Sequence, residues 1–226
     1  KKNFIFFPEY CLESNFREKD KISYIKPVKL LYASSFVNTC RPQELCEGLD
    51  EFLVMKKITA QKVSVSFVTL PFTYERIFNK ENEIYWTNYL YEHKFNKYFE
   101  IVKGKALDSS IFEEYHFGIP GGLYFNKDGF ACSNATQAIT SKISLYLESG
   151  IPILVNKKWK TLAELVDKYK IGIVITNQDL DNIKSKLEIS EKEYKQLVKN
   201  VYKYRKSFVY NNKSMKPIME LVENVR

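Results

Sequence analysis

Apolar runs and amphipathic stretches alternate along this chain in a way that points to a fold class before any single residue is considered. Residues 27–36, PVKLLYASSF, have the apolar character of a buried strand, and PQELCEGLDEFLVMKK after them carries Leu45, Leu49, Phe52 and Leu53 at helical spacing. Pro42 suits the first turn of that helix. Residues 63–72, VSVSFVTLPF, alternate through Val63, Val65 and Phe67 and then become apolar, which predicts a second strand. FEIVKG, residues 99–104, predicts a third. DSSIFEEYHFGI, with Ser110 and Glu113 at capping-box spacing, predicts a short helix, and GGLYF a fourth strand. In SKISLYLESGIPILV, residues 141–155, a helix stops at Gly150 and a fifth strand follows Pro152. TLAELVDKYK then reads as helix, IGIVI as a sixth strand and DLDNIKSKLE as helix. Strands alternating with helices imply an α/β fold, a Rossmann-like parallel sheet with helices on both faces, because each crossover must carry the chain back across the sheet. The ligand crevice of such a sheet lies at the carboxyl ends of its strands.

Three parts are expected. Residues 1–26, with Pro8 and a run of charges, read as a lead-in segment or interdomain remnant; residues 27–189 form the Rossmann-like domain; residues 190–226 hold C-terminal helices with no strand between them. The aromatic, amide-rich segment 74–98 has no decisive period and is compatible with helix, insertion or a homo-oligomer contact.

At 226 residues, one large domain with peripheral helices is the natural organisation, and 45% hydrophobic with 15% aromatic content excludes a disordered chain. The formal charge of +8 favours phosphate-bearing partners, in nucleic acid, anionic lipid or a nucleotide, without choosing among them, and biased composition would produce the same lysines. Cys11, Cys40, Cys46 and Cys132 show no C-x-x-C spacing, and with only His93 and His116 beside them they read as reduced thiols; no metal or cofactor is expected. No apolar run approaches the roughly 18 residues of a membrane span, and no signal-peptide pattern opens the chain, so a cytoplasmic setting is expected. The basic, tyrosine-bearing C-terminal helix would suit peripheral contact with the inner face of a membrane, or be a solvated face. The chain begins KKNFIFF without methionine, which suggests a fragment. Walker, G-x-G-x-x-G and Ser-His-Asp patterns are absent, which removes support from NTPase and hydrolase readings.

Lys142 carries the main chemical question. With Thr140 or Ser141 as N-cap it falls in the first helical turn, where the helix dipole opposes a cation by about 0.3 to 1 kcal/mol. A bound anion would reverse that sign, and free backbone N–H groups beside a lysine would hold a diphosphate. The plain alternative is a surface lysine lying over its own helix.

GGLYFNKDGF, then TSKISLYLESGIPILVNKKWKTLAELVDKYKIGIVI, then SEKEYKQLVKN, together resemble the C-terminal half of bacterial GT-B glycosyltransferases, from about Gly118 to Arg226. The likeness is nearest to the glucosyltransferases of serine-rich adhesin glycosylation and related galactofuranosyltransferases, which carry a K-L-S-L-Y-L segment followed by G-x-P-V-I. KLLYASSF is similar to the first strand and loop of the same nucleotide-sugar-binding lobe. The resemblance implies a lobe that binds a nucleotide-diphosphate sugar, a UDP-sugar in particular, without a catalytic metal, and it assigns Lys142 to the donor phosphates. The chain departs from the pattern in having Ala138-Ile139-Thr140-Ser141 where related enzymes have Asn-Pro-His. Leu145 replaces the ribose-binding glutamate of the wider family, as it does in the glucosyltransferase-like group. GT-B enzymes have two lobes and this chain shows one, so the acceptor site and catalytic base would belong to a missing N-terminal lobe or a partner subunit, and no catalytic residue is assigned. The acceptor would be a glycan, a lipid-linked molecule or a protein. A noncatalytic nucleotide-sugar-binding subunit is the rival, and nucleic-acid binding rests on charge alone.

Other candidates carry bland alternatives. Arg41, before Pro42, would reach a phosphate or simply face solvent. Lys103 and Gly104 end the third strand and would meet the base, or make a plain turn. Asn134, Thr136, Thr140 and Ser141 would bond sugar or phosphate oxygens, or act as caps and loop. Glu164 would meet the donor sugar, or fill a helix. His116 would be an acid or base, but has no paired carboxylate in view.

Overall fold

The computed structural model describes residues 11–18, 23–33, 49–69, 71, 74–75, 78–79, 88, 91, 96–104, 112, 114–123, 142–209 and 216. Strand β1 (Lys29–Ala33) is the middle of the sheet. Its apolar run serves both faces: Leu30 and Tyr32 enter one core with Val65 and Phe67, while Leu31 enters a second with Ile153 and Val155. A strand buried on both faces has no polar side to alternate with, which is why its sequence is continuous rather than periodic.

β1 pairs in parallel with β2 (Ser64–Thr69), and β2 with β3 (Phe99–Lys103). On its other side β1 pairs with β4 (Phe117–Gly118), followed by β5 (Ile153–Asn156) and β6 (Gly172–Ile175), so that the order is β3-β2-β1-β4-β5-β6. Helix α1 (Leu49–Ala60) covers the first face through Val54, Met55 and Ile58. Helices α2 (Lys142–Glu148) and α3 (Lys160–Tyr169) cover the second through Ile143, Tyr146, Leu147, Leu162 and Val166. Each such fully buried aliphatic side chain contributes about 1.5–3 kcal/mol of transfer free energy.

After β6, a 3₁₀ turn (Gln178–Asn182) and the short α4 (Ile183–Lys186) return the chain to the first face. Helix α5 (Glu191–Arg205) starts at a capping box: Ser190 Oγ accepts the Glu193 N–H at 3.2 Å and Glu193 Oε2 accepts the Ser190 N–H at 2.7 Å. Its first half sends Tyr194 and Val198 into the first core, and its second half sends Val201 and Tyr204 into the other. The S-x-x-E spacing announces this box in the sequence; the Ser110–Glu113 pair lies outside the described residues.

Two expectations are corrected between residues 108 and 125. The segment ending in HFGI is not helical to its end, because Phe117–Gly118 is β4, with Ile119 N–H donating to Leu31 O at 2.8 Å. Gly121–Leu123, expected as the fourth strand, forms no ladder. Two apolar residues between flanking strands satisfy the pairing, and the following glycines turn away. Helix α1 also runs on to Ala60, three residues past its expected end.

Residues 11–18 pack into the domain. Cys11 forms a parallel bridge with Val209 and donates its N–H to Phe208 O at 2.8 Å. Leu12 N–H donates to Glu148 Oε1 at 2.7 Å. Cys11 is fully buried, and burial, reinforced by the Glu148 carboxylate, pushes its thiol up to about 12. Only the thiolate reacts, and at pH 8 such a thiol is ionised to roughly one part in ten thousand. Cys11 should therefore stay unmodified by a thiol reagent in the native protein and become labelled in urea, as peptide mapping by mass spectrometry would register; native labelling at Cys11 would contradict this packing.

Candidate functional site

The strand order reverses between β1 and β4, and in open α/β sheets ligands lie outside the carboxyl ends of the strands at such a switch point. Three described pieces meet there: the end of β1, the stretch 119–123 after β4, and the start of α2. The crossover from β4 to β5 requires α2 to run opposite to the strands, so its first residue, Lys142, comes to the carboxyl edge. Lys142 is half-buried, and its Nζ stands 5.8 Å from the ring centroid of Tyr32, the penultimate residue of β1. That is within reach of a cation–π attraction of about 0.5–1 kcal/mol.

The stretch 119–123 is held by side chains from the end of β5. Trp159 Nε1–H donates to Gly122 O at 2.9 Å, and Asn156 Nδ2–H donates to Leu123 O at 2.6 Å. Asn156 is 1% exposed, and its amide also donates to Asn177 Oδ1 at 2.9 Å. Beside it, a groove of about 940 Å³ opens along the carboxyl ends of β5 and β6, lined by Asn156, Lys157, Lys160, Glu164, Thr176 and Gln178 among others. Thr176, just past β6, is clasped by Asp179, whose Oδ2 accepts from its N–H at 2.7 Å and its hydroxyl at 2.9 Å. The backbone bond from Thr176 holds the Asp179 carboxyl below its ordinary pKa.

The predicted residues distribute unevenly over this edge. Lys142 sits at the switch point and Glu164 faces the groove to one side of it. Lys103 and Gly104 end β3, which is separated from β1 by β2. There Lys103 pairs with Glu75 at 2.6 Å, and the Gly104 N–H is already given to Thr69 O at 2.7 Å. A Cβ on Gly104 would lie 2.8 Å from Val68 Cγ1, so close packing against β2 accounts for glycine there. Arg41, Asn134, Thr136, Thr140 and Ser141 lie outside the described residues. His116 is at the opposite, amino end of β4: buried, it accepts the Lys29 N–H at Nδ1 at 2.9 Å and packs edge-on to Tyr24. That places it away from the edge where chemistry is expected.

Sequence reasoning missed Asn156, Trp159 and Tyr146. An asparagine directly after an apolar strand run, followed by a tryptophan, is a usable signal, since a polar side chain there must find partners at the sheet's edge. Among the described residues no group of three or more His, Cys, Asp or Glu is placed to hold a metal ion, and no described helix is long and apolar enough to cross a membrane.

The family model described as "Glucosyltransferase 3-like, C-terminal domain" matches residues 78–214, more than half of the chain. No curated protein matches it. Among solved structures, Anabaena HepE in complex with UDP-glucose is similar at 12% identity and a TM-score of 0.53, over 88% of this chain and 49% of that one. The α,α-trehalose 6-phosphate synthase of Burkholderia multivorans is similar at 12% identity and a TM-score of 0.53, over 88% and 43%. An O-GlcNAc transferase variant of Thermobaculum terrenum is similar at 9% identity and a TM-score of 0.51, over 88% and 36%. The chain thus spans less than half the length of each. At these identities the likeness is one of fold, the α/β Rossmann-like lobe.

Proposed function

We propose, from the premise that this chain belongs to the glucosyltransferase 3-like C-terminal domain family, that it is the donor-binding lobe of a GT-B glycosyltransferase and holds a UDP-sugar at the switch point between β1 and β4. The observation that carries this reading is the Lys142 ammonium at the carboxyl end of β1, 5.8 Å from the Tyr32 ring centroid. A fold shared with a protein solved in complex with UDP-glucose supports the choice of ligand.

In this reading Lys142 binds the donor diphosphate and offsets the negative charge that grows on it as the glycosidic bond to the sugar breaks. A fixed cation facing a developing anion at a partly desolvated site acts without reorganising at the moment of reaction. Glu164, which lines the neighbouring groove, would accept hydrogen bonds from sugar hydroxyls. A second lobe, on a longer chain or a partner subunit, would present the glycan, lipid-linked or protein acceptor and the catalytic base.

Lys142→Ala should weaken UDP binding about 10- to 30-fold in calorimetry, the loss of one charge-assisted contact of roughly 1.5–2 kcal/mol. Lys168→Ala, which removes an exposed ammonium over Tyr169 on α3, should leave it unchanged. Equal affinities for the parent and Lys142→Ala would remove the phosphate assignment.

A further inference from the structure

Parallel strands exchange hydrogen bonds in evenly spaced rungs. Between β1 and β4 the register is Leu30 to Phe117 and Leu31 to Gly118, and the last direct rung is the bond from Ile119 N–H to Leu31 O at 2.8 Å. The next rung of a regular ladder would run from Ala33 N–H to Ile119 O. It is replaced by a side chain: Ala33 N–H donates to Tyr146 Oη at 3.0 Å, and the Tyr146 hydroxyl donates to Ile119 O at 2.8 Å.

We propose that Tyr146 is a positioning residue whose hydroxyl stands in for one rung of the β1–β4 ladder, spreading the two strands at the switch point and setting the crevice that Lys142 faces. The consequence for donor binding rests on the donor-lobe reading above; the inserted rung itself does not.

Several features serve that placement. Tyr146 is fully buried on α2. A Cβ on Gly118 would lie 2.5–2.6 Å from its Cγ, Cδ1 and Cδ2 atoms, so the ring reaches the gap only because residue 118 has no side chain. Lys142 precedes Tyr146 by four residues, one turn along the same helix face, so anchoring the hydroxyl between the strands also sets where the lysine starts. Burial raises the phenol's pKa, so the hydroxyl keeps the proton it gives to Ile119. With both ladder groups satisfied by one hydroxyl, the strands part without leaving a buried N–H or C=O unpaired. The strands thus part at the switch point, where a ligand would enter.

The test compares the parent chain with Tyr146→Phe and with Ile143→Val, a trimmed core residue on the same helix, by amide hydrogen exchange and UDP titration. Tyr146→Phe should change the chemical shift of the Ala33 amide and lower its protection at least tenfold. It should also weaken UDP binding at least fivefold, while Ile143→Val keeps the parent's affinity. An unchanged Ala33 amide in Tyr146→Phe overturns the inserted rung. A changed Ala33 amide with undiminished UDP affinity overturns the positioning role. A changed amide in a protein whose parent form binds no UDP upholds the rung and overturns the donor-lobe reading. Should Tyr146→Phe not fold, the parent alone decides: a slowly exchanging Tyr146 hydroxyl proton close to the Ala33 amide proton is expected, and a direct Ala33–Ile119 bond would overturn the proposal.

Discussion

Arg205→Ala should lower the thermal midpoint by about 10 °C and free residues 11–18 from the domain. Arg205 is 2% exposed at the end of α5, and its guanidinium lies between two rings, 4.3 Å from the centroid of Phe16 and 4.5 Å from that of Tyr202. It donates to the backbone carbonyls of Arg17 and Glu148, so one planar cation ties residues 11–18, the end of α2 and α5 together. Its contact with Glu18 adds little, because that carboxylate is largely exposed. Burial lowers the guanidinium's pKa from a very high ordinary value, and it remains charged. Charged hydrogen bonds and cation–π stacking together suggest a loss of about 3 kcal/mol. In a chain of this size each kcal/mol moves the midpoint by about 2–4 °C. Calorimetry would measure the shift, and trypsin should cut faster after Arg17 in the variant. Arg205→Lys should recover less than half of the loss, because an ammonium cannot stack between the rings. An unchanged midpoint and unchanged cleavage would show that the node holds nothing.

Gly172→Ala should disrupt the β5–β6 edge, with a loss of at least about 3 kcal/mol or failure to accumulate as folded protein. A Cβ on Gly172 would stand 1.9 Å from Ile153 O and 2.7 Å from the Ile153 N and C atoms. These are backbone atoms of the neighbouring strand, held in register by the Ile153 N–H bond to Ile171 O at 2.9 Å, so no side chain can swing aside to make room. Relief requires β6 to move away, which would also open the groove along Asn156 and Thr176. Denaturant unfolding would give the loss directly, and a variant as stable as the parent would contradict the observed strand spacing.

The carboxyl edge of the sheet was legible to different degrees. Lys142 could be singled out because a cation in a first helical turn is locally disfavoured, and the K-x-S-x-Y-L context carried a resemblance. Tyr146 lies in the same quoted segment, yet its hydroxyl has meaning only once Ala33 and Ile119, 113 and 27 residues away, are brought to it. Asn156 and Trp159 are similar: their partners on residues 122 and 123 are distant in the chain. Lys103 and Gly104 show the reverse. The sequence correctly ends a strand there, but strand order, which no local pattern encodes, puts that end two positions away from the switch point.

Hydrophobic period and turn chemistry by themselves determined the alternation of strands and helices, and with it the parallel α/β class, because both depend on neighbours within about four residues. β4 escaped that logic: its two residues are a strand only because β1 and β5 flank them, and their local sequence reads as the tail of a helix. The tertiary structure alone decided that residues 11–18 close against α5 through Arg205. It also decided that the ladder between β1 and β4 is finished by a tyrosine hydroxyl. Such contacts join groups from 27 to 188 residues apart, and their free energy comes from burial and geometry that exist only after the sheet has assembled.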